Sequence, residues 1–182
     1  MKTESTVKYV ARIALTLLLI TAVVAVALAG VNSVTAPRIA GLKADKTQKA
    51  IEAVLPGGGR EIAVPAGAEN VAALYQGDSG YAVEVTPAGF GGTIDMMVGI
   101  SSQGDVLGIS VVSQSETAGL GAVCAATTSA GQAFRGQFGG LSGSVSVTKD
   151  GGQVDAITGA TITSRAVCAG VNAALDCVDA LG

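Results

Sequence analysis

The apolar positions of this chain are unevenly distributed. From Ile13 to Pro37 no residue is charged, and Ile13 to Ala29 is almost continuously apolar. A run of this length matches the span of about 20 residues that crosses a bilayer as a helix. Asp45 to Leu55 follows a different rule: Ile51, Val54 and Leu55 recur at helical spacing among polar neighbours, and Pro56-Gly57-Gly58-Gly59 ends the segment. The pattern then shifts to strand-like runs. Tyr81–Val85 and Ser144–Thr148 alternate, Thr93–Ile100 and Val106–Val112 are mostly apolar, and Val154–Ile157 is short. Pro87-Ala88-Gly89 and Ser102-Gln103-Gly104-Asp105 supply turns between them. Val167, Val171, Ala174, Leu175, Val178 and Leu181 form one stripe at intervals of three and four, which predicts a terminal helix. An antiparallel meander covered by a helix is an α+β arrangement. The expected division is 1–36 for the N-terminus and membrane helix, 37–75 for a connector carrying the amphipathic helix, and 76–182 for the folded domain.

Charge orients the apolar helix. Lys2, Lys8 and Arg12 precede it against a single Glu4, so the positive-inside rule places the N-terminus in the cytoplasm and the rest outside. Arg38, Lys43, Lys46 and Lys49 on the other side weaken this asymmetry without reversing it. Ala27-Leu28-Ala29 also has the small-x-small form of a signal-peptide cleavage site. The uncharged run exceeds a signal core, which favours an uncleaved single-pass anchor. No Cys follows the run closely, which argues against a lipoprotein.

Composition narrows the chemistry. Among 182 residues there are 26 Gly, three Tyr, three Phe, no Trp and no His, with a net charge of −3. Without His, imidazole-based triads, dyads and metal sites are excluded. An acidic chain with few aromatics lacks what a nucleic-acid surface needs. No catalytic residue and no metal ligand stands out, so a reactive group would be borrowed. Gly77-Asp78-Ser79-Gly80 resembles a serine-protease nucleophile segment but reads as a turn before Tyr81. Gly119-Leu120-Gly121 begins a dinucleotide fingerprint that Cys124 breaks. Cys124, Cys168 and Cys177 form no Cys-x-x-Cys pair and read as small buried residues, although an outer compartment permits one bridge from Cys124.

One segment carries chemistry. Asp155-Ala156-Ile157-Thr158-Gly159-Ala160-Thr161-Ile162-Thr163-Ser164 has four hydroxyl side chains in seven positions, just ahead of the terminal helix. A capping Thr or Ser accounts for one of them. The Gly-Ala pair opens the backbone to close approach. A glycine turn into a helix also directs free N–H groups and the positive dipole end at an anion, so a phosphorylated ligand fits here.

Asp155-x-x-Thr158-Gly159-Ala160-Thr161 followed by Thr163-Ser164 resembles the flavinylation motif of the FMN-binding domain family. Gly89-Phe90-Gly91-Gly92-x-Ile94, Val98-Gly99-Ile100, Gly108-Ile109-x-Val111 and Ser115-Glu116-Thr117-x-Gly119-Leu120-Gly121 resemble that family's upstream segments. Their order and spacing, with the anchor, resemble the G subunits of Rnf electron-transport complexes over roughly residues 8 to 180. The resemblance implies FMN joined through its phosphoryl group to Thr161 by a flavin transferase. It implies cofactor contacts from Thr158, Gly159, Ala160, Ile162, Thr163, Ser164, Glu116, Thr117, Gly119 and Leu120, with Phe90 near the ring or in the core. Asp155 either assists attachment or is a solvated turn carboxylate. Ala118 replaces the family's usual Pro, and no His precedes Glu116, which loosens that loop and removes one possible flavin contact. The implied function is electron transfer within a membrane complex that reduces NAD from ferredoxin and moves ions, with the other subunits as partners. The C subunit of sodium-pumping NADH:quinone oxidoreductase shares the motif and is the alternative. A cofactor-free anchored extracytoplasmic module is the rival from another class.

Overall fold

The computed structural model describes residues 3–181. Lys2 and the Glu4 side chain, part of the charge flank, lie outside the described residues. The chain divides into two compact units, Met1–Ala44 and Asp45–Gly182.

Helix α1 runs Thr3–Val54, with Pro37 inside it. The segment read as a short amphipathic helix, Asp45 to Leu55, is helical through Val54 and forms the last turns of α1. Its apolar stretch is long enough to cross a membrane and buries no part of itself against protein. The hydroxyls in this stretch are satisfied locally. Thr16 Oγ1 donates to Arg12 O at 2.9 Å, Thr21 Oγ1 to Leu17 O at 3.0 Å and Thr35 Oγ1 to Val31 O at 2.9 Å. Such back-bonding removes the cost of carrying hydroxyls into hydrocarbon.

The second unit is built on one sheet of five antiparallel strands in sequential order: β1 Arg60–Ile62, β2 Val71–Gly77, β3 Gly80–Val85, β4 Asp95–Ser101 and β5 Val106–Ser113. The meander reaches back into the expected connector, where β1 and most of β2 stand. Gly77 pairs with Gly80 across a two-residue turn at Asp78-Ser79, so the protease-like segment is a hairpin. Every β4 residue is buried. Alternate side chains of a strand point to opposite faces, and both faces here are covered. On one, Met96, Val98 and Ile100 join Val83, Val85, Val167 and Val171 in the main core. On the other, Met97, Ala82 and Val112 meet Ala50, Ile51, Val54 and Leu55.

After β5 come a 3-10 turn Gly121–Ala125, helix α2 Ser129–Gly136, a 3-10 turn Thr148–Asp150 and helix α3 Thr161–Asp179. Thr128 caps α2 by accepting from Gly131 N–H at 3.4 Å. The expected strands at Ser144–Thr148 and Val154–Ile157 reduce to a single parallel bridge, Val147 to Val154. Val145 instead pairs with a side chain of α3: its N–H donates to Asn172 Oδ1 at 2.8 Å, and Asn172 Nδ2 donates to Val145 O at 2.9 Å. Cys124, Cys168 and Cys177 are free and buried.

Candidate functional site

Gly159 has φ +76°, a backbone conformation that glycine adopts without strain, and it turns the chain into α3. Ala160 is the N-cap and makes no side-chain capping bond, so the expected hydroxyl cap is absent. Thr161 is the first helical residue. The first intrahelical bond runs from Ser164 N–H to Ala160 O at 3.0 Å. The N–H groups of the preceding residues are those a helix start leaves without an intrahelical acceptor. Together with the helix dipole they form an anion-binding end.

The hydroxyls of this turn have separate tasks. Ser164 is fully buried and braces the loop: its Oγ donates to Ala160 O at 3.0 Å and accepts from Ile157 N–H at 2.9 Å. Thr163 is buried and its Oγ1 donates to Glu116 Oε2. Thr161 remains half-exposed, and its Oγ1 accepts from Lys149 Nζ at 3.3 Å.

Glu116 enters from the loop after β5. Its Oε1 accepts from Gly91 N–H at 2.8 Å, and its own N–H donates to Gln114 Oε1. A carboxylate that is mostly buried needs such donors. Gly121 makes room for it, since a Cβ there would meet Thr163 Oγ1 and Glu116 Oε2. Gln114 thus holds the backbone of the glutamate.

These segments surround a half-open cavity of about 400 Å³. Of the expected residues, Glu116, Thr117, Leu120, Gly159, Ala160, Thr161, Ile162 and Thr163 line it, as does Phe90. Thr158 and Gly119 line a neighbouring cavity with Phe134, Gln137 and Asp155. Ser164 lies behind the loop. The Asp155 side chain is exposed, while its backbone is clamped by Gln137, which accepts from the Asp155 N–H at 2.7 Å and donates to its carbonyl at 3.2 Å. Among the described residues no His, Cys, Asp and Glu group could hold a metal.

Phe90, Leu120 and Ile162 are 69%, 42% and 52% exposed. They are three of the five exposed large apolar side chains described in the second unit, and all three border this cavity. Apolar faces around a polar, anion-binding floor suit a planar ring system carrying a phosphate. Sequence reasoning missed Lys149, and it named Gly121 only within the Ser115–Gly121 segment, with no role at the site. The signal for Lys149 was its isolation: it is the single basic residue between Arg135 and Arg165.

The FMN-binding domain model matches residues 89–176, the stretch that supplies this cavity. The chain is 36% identical to the G subunit of the ion-translocating oxidoreductase complex of Methanosarcina acetivorans, over 95% of this chain and 96% of that protein. It is 36% identical to the G subunit of the Na(+)-translocating ferredoxin:NAD(+) oxidoreductase complex of Acetobacterium woodii, covering 91% and 89%. A shorter match, 39% over 53% of this chain, is to the G subunit of the proton-translocating ferredoxin:NAD(+) oxidoreductase complex of Clostridium ljungdahlii. Identity at this level along nearly the whole chain, with the domain match over the cavity, shows that this chain belongs to the family of G subunits of ion-translocating oxidoreductase complexes.

Proposed function

We propose that the chain is a membrane-anchored electron-carrying subunit of an Rnf-type ferredoxin:NAD oxidoreductase coupled to ion translocation, with FMN tied to Thr161. The observation that carries this reading is the position of Thr161. Its hydroxyl stands at the uncapped start of α3, on the wall of the one cavity that Phe90, Leu120 and Ile162 jointly border. In the proposed attachment, the Thr161 oxygen bonds to the FMN phosphorus of FAD. The pyrophosphate bond breaks, AMP leaves and the hydroxyl proton is released, with a flavin transferase as catalyst. Bound FMN supplies the one- and two-electron chemistry, and the protein supplies position and electrostatics.

The residues present suit that task. The helix N-terminus favours the phosphate charge, Glu116 and Thr163 fix the floor, and the apolar rim shields a ring from water. The anchor keeps the domain at the membrane, beside the other subunits of a complex. The positive flank favours a cytoplasmic N-terminus and an extracytoplasmic flavin domain.

The test is co-expression of the full chain with a flavin transferase, then denaturing electrophoresis. Flavin fluorescence should migrate with the polypeptide and vanish in Thr161→Val, with folding retained. A wild-type chain without flavin would overturn the proposal, and a labelled Thr161→Val would move the attachment elsewhere.

A further inference from the structure

Lys149 has no place in the sequence motif, yet it is the side chain that reaches the Thr161 oxygen. Its position is held from three sides. The 3-10 turn Thr148–Asp150 is closed by Asp150 N–H to Val147 O at 2.8 Å and Gly152 N–H to Val147 O at 3.0 Å. Gly151, at φ +84°, and Gly152, which has no space for a Cβ against Ser146, reverse the chain. Thr148 N–H donates to Val154 O at 2.8 Å and closes the loop.

The neighbouring charges are already paired. Both Asp150 oxygens are taken by Arg165, with Nε to Oδ2 and Nη2 to Oδ1 at 2.7 Å each. This fork ties the 3-10 turn to the first turns of α3 and holds the Asp150 carboxyl below its usual range, through the Arg165 hydrogen bond first. Glu116 is engaged by Gly91 and Thr163. Among the described residues no carboxylate lies within ion-pair distance of the Lys149 ammonium. Lys149 helps lower the adjacent Asp150 carboxyl through space but forms no ion pair with it, and its ammonium donates to the Thr161 oxygen at the start of α3 instead.

We propose that Lys149 is the positioning residue for the flavin phosphate: its ammonium holds the phosphoryl oxygens against Thr161 during attachment and pairs with the resulting phosphodiester. This deepens the reading of Thr161 as the attachment point and rests on it. Lys149 is exposed, so its pull is screened by salt. Loss of one charge-assisted contact of this kind slows attachment by about tenfold.

The experiment uses the full chain and FAD with the transferase, comparing wild type, Lys149→Arg and Lys149→Met. Initial rates of flavin incorporation are read at low and high salt, and the ³¹P resonance is read on the labelled chains. Wild type and Lys149→Arg should label at comparable, salt-sensitive rates. Lys149→Met should be about tenfold slower, lose the salt dependence and show a shifted ³¹P resonance. Equal rates and an unmoved resonance in Lys149→Met would overturn the proposal. Slow labelling with an unmoved resonance would also overturn it, making Lys149 a contact of the transferase. A wild-type chain that takes no flavin would instead sink the reading of Thr161.

Discussion

Glu116 joins two segments that lie 25 and 47 residues away along the chain, through Gly91 N–H and the Thr163 hydroxyl. Removing a mostly buried acceptor strands both donors, so Glu116→Ala should cost about 2–3 kcal/mol in urea unfolding. Glu116→Gln keeps one amide oxygen and should cost less than half of that. Equal losses would mean the charge, not the acceptor, is what matters. The cysteines give a pH test. Burial, aided by the Glu116 charge, raises the Cys124 thiol to about 11, and burial with the Asp150 charge raises Cys168 to about 11. Both folded values exceed the ordinary 9.0. Their stabilisation is therefore complete below pH 9 and is lost as pH rises toward 11. The melting temperature should fall over that window, and a thiol reagent at pH 8 should react with all three cysteines only after unfolding. That Thr161 and Glu116 share one cavity wall could be anticipated from the sequence, because each stands in a segment that carries the family resemblance. The place of Lys149 could not, because only the turn at Gly151-Gly152 brings it back over 12 residues.

Among the elements, β3, β4 and β5 were legible because their apolar runs are long enough to stand out. β1 has three residues, and β2 reads Val-Ala-Ala-Leu-Tyr-Gln-Gly with little alternation, so neither did. Ser144–Thr148 alternates as a strand should, but Val145 pairs with the Asn172 side chain and only Val147 bridges another segment, at Val154. Period-two patterning reports a two-faced environment, not the identity of the partner. The sheet offers a paired test. Gly99 and Gly108 face each other across β4 and β5. A Cβ on Gly99 would strike the Val54 carbonyl, whereas a Cβ on Gly108 meets nothing within 4 Å. Gly99→Ala should destabilise by about 1–3 kcal/mol through overpacking, and Gly108→Ala should be near neutral in the same thermal melt. Equal effects would show that strand propensity, not the close approach of residue 54, governs both sites.

At the scale of the molecule, the unit from Asp45 carries both sheet faces, both core clusters and the cavity. Residues 45–182 alone should therefore be soluble and melt cooperatively, while the full chain should stay with membranes through alkaline carbonate washing. Release of the full chain by that wash would refute the anchor. The whole-chain inventory of aromatic residues has an optical consequence. Tyr75 and Tyr81 belong to β2 and β3, Tyr9 belongs to α1, and the chain has no Trp. Phe90 is the aromatic ring on the cavity wall, and no tyrosine lines it. Phenol and indole rings extinguish an excited flavin by giving it an electron, and a phenyl ring does not. A flavin held at Thr161 would thus sit in a photochemically quiet wall, emitting green light in the native state, with an excited-state lifetime that reports directly on whichever redox partner comes within contact.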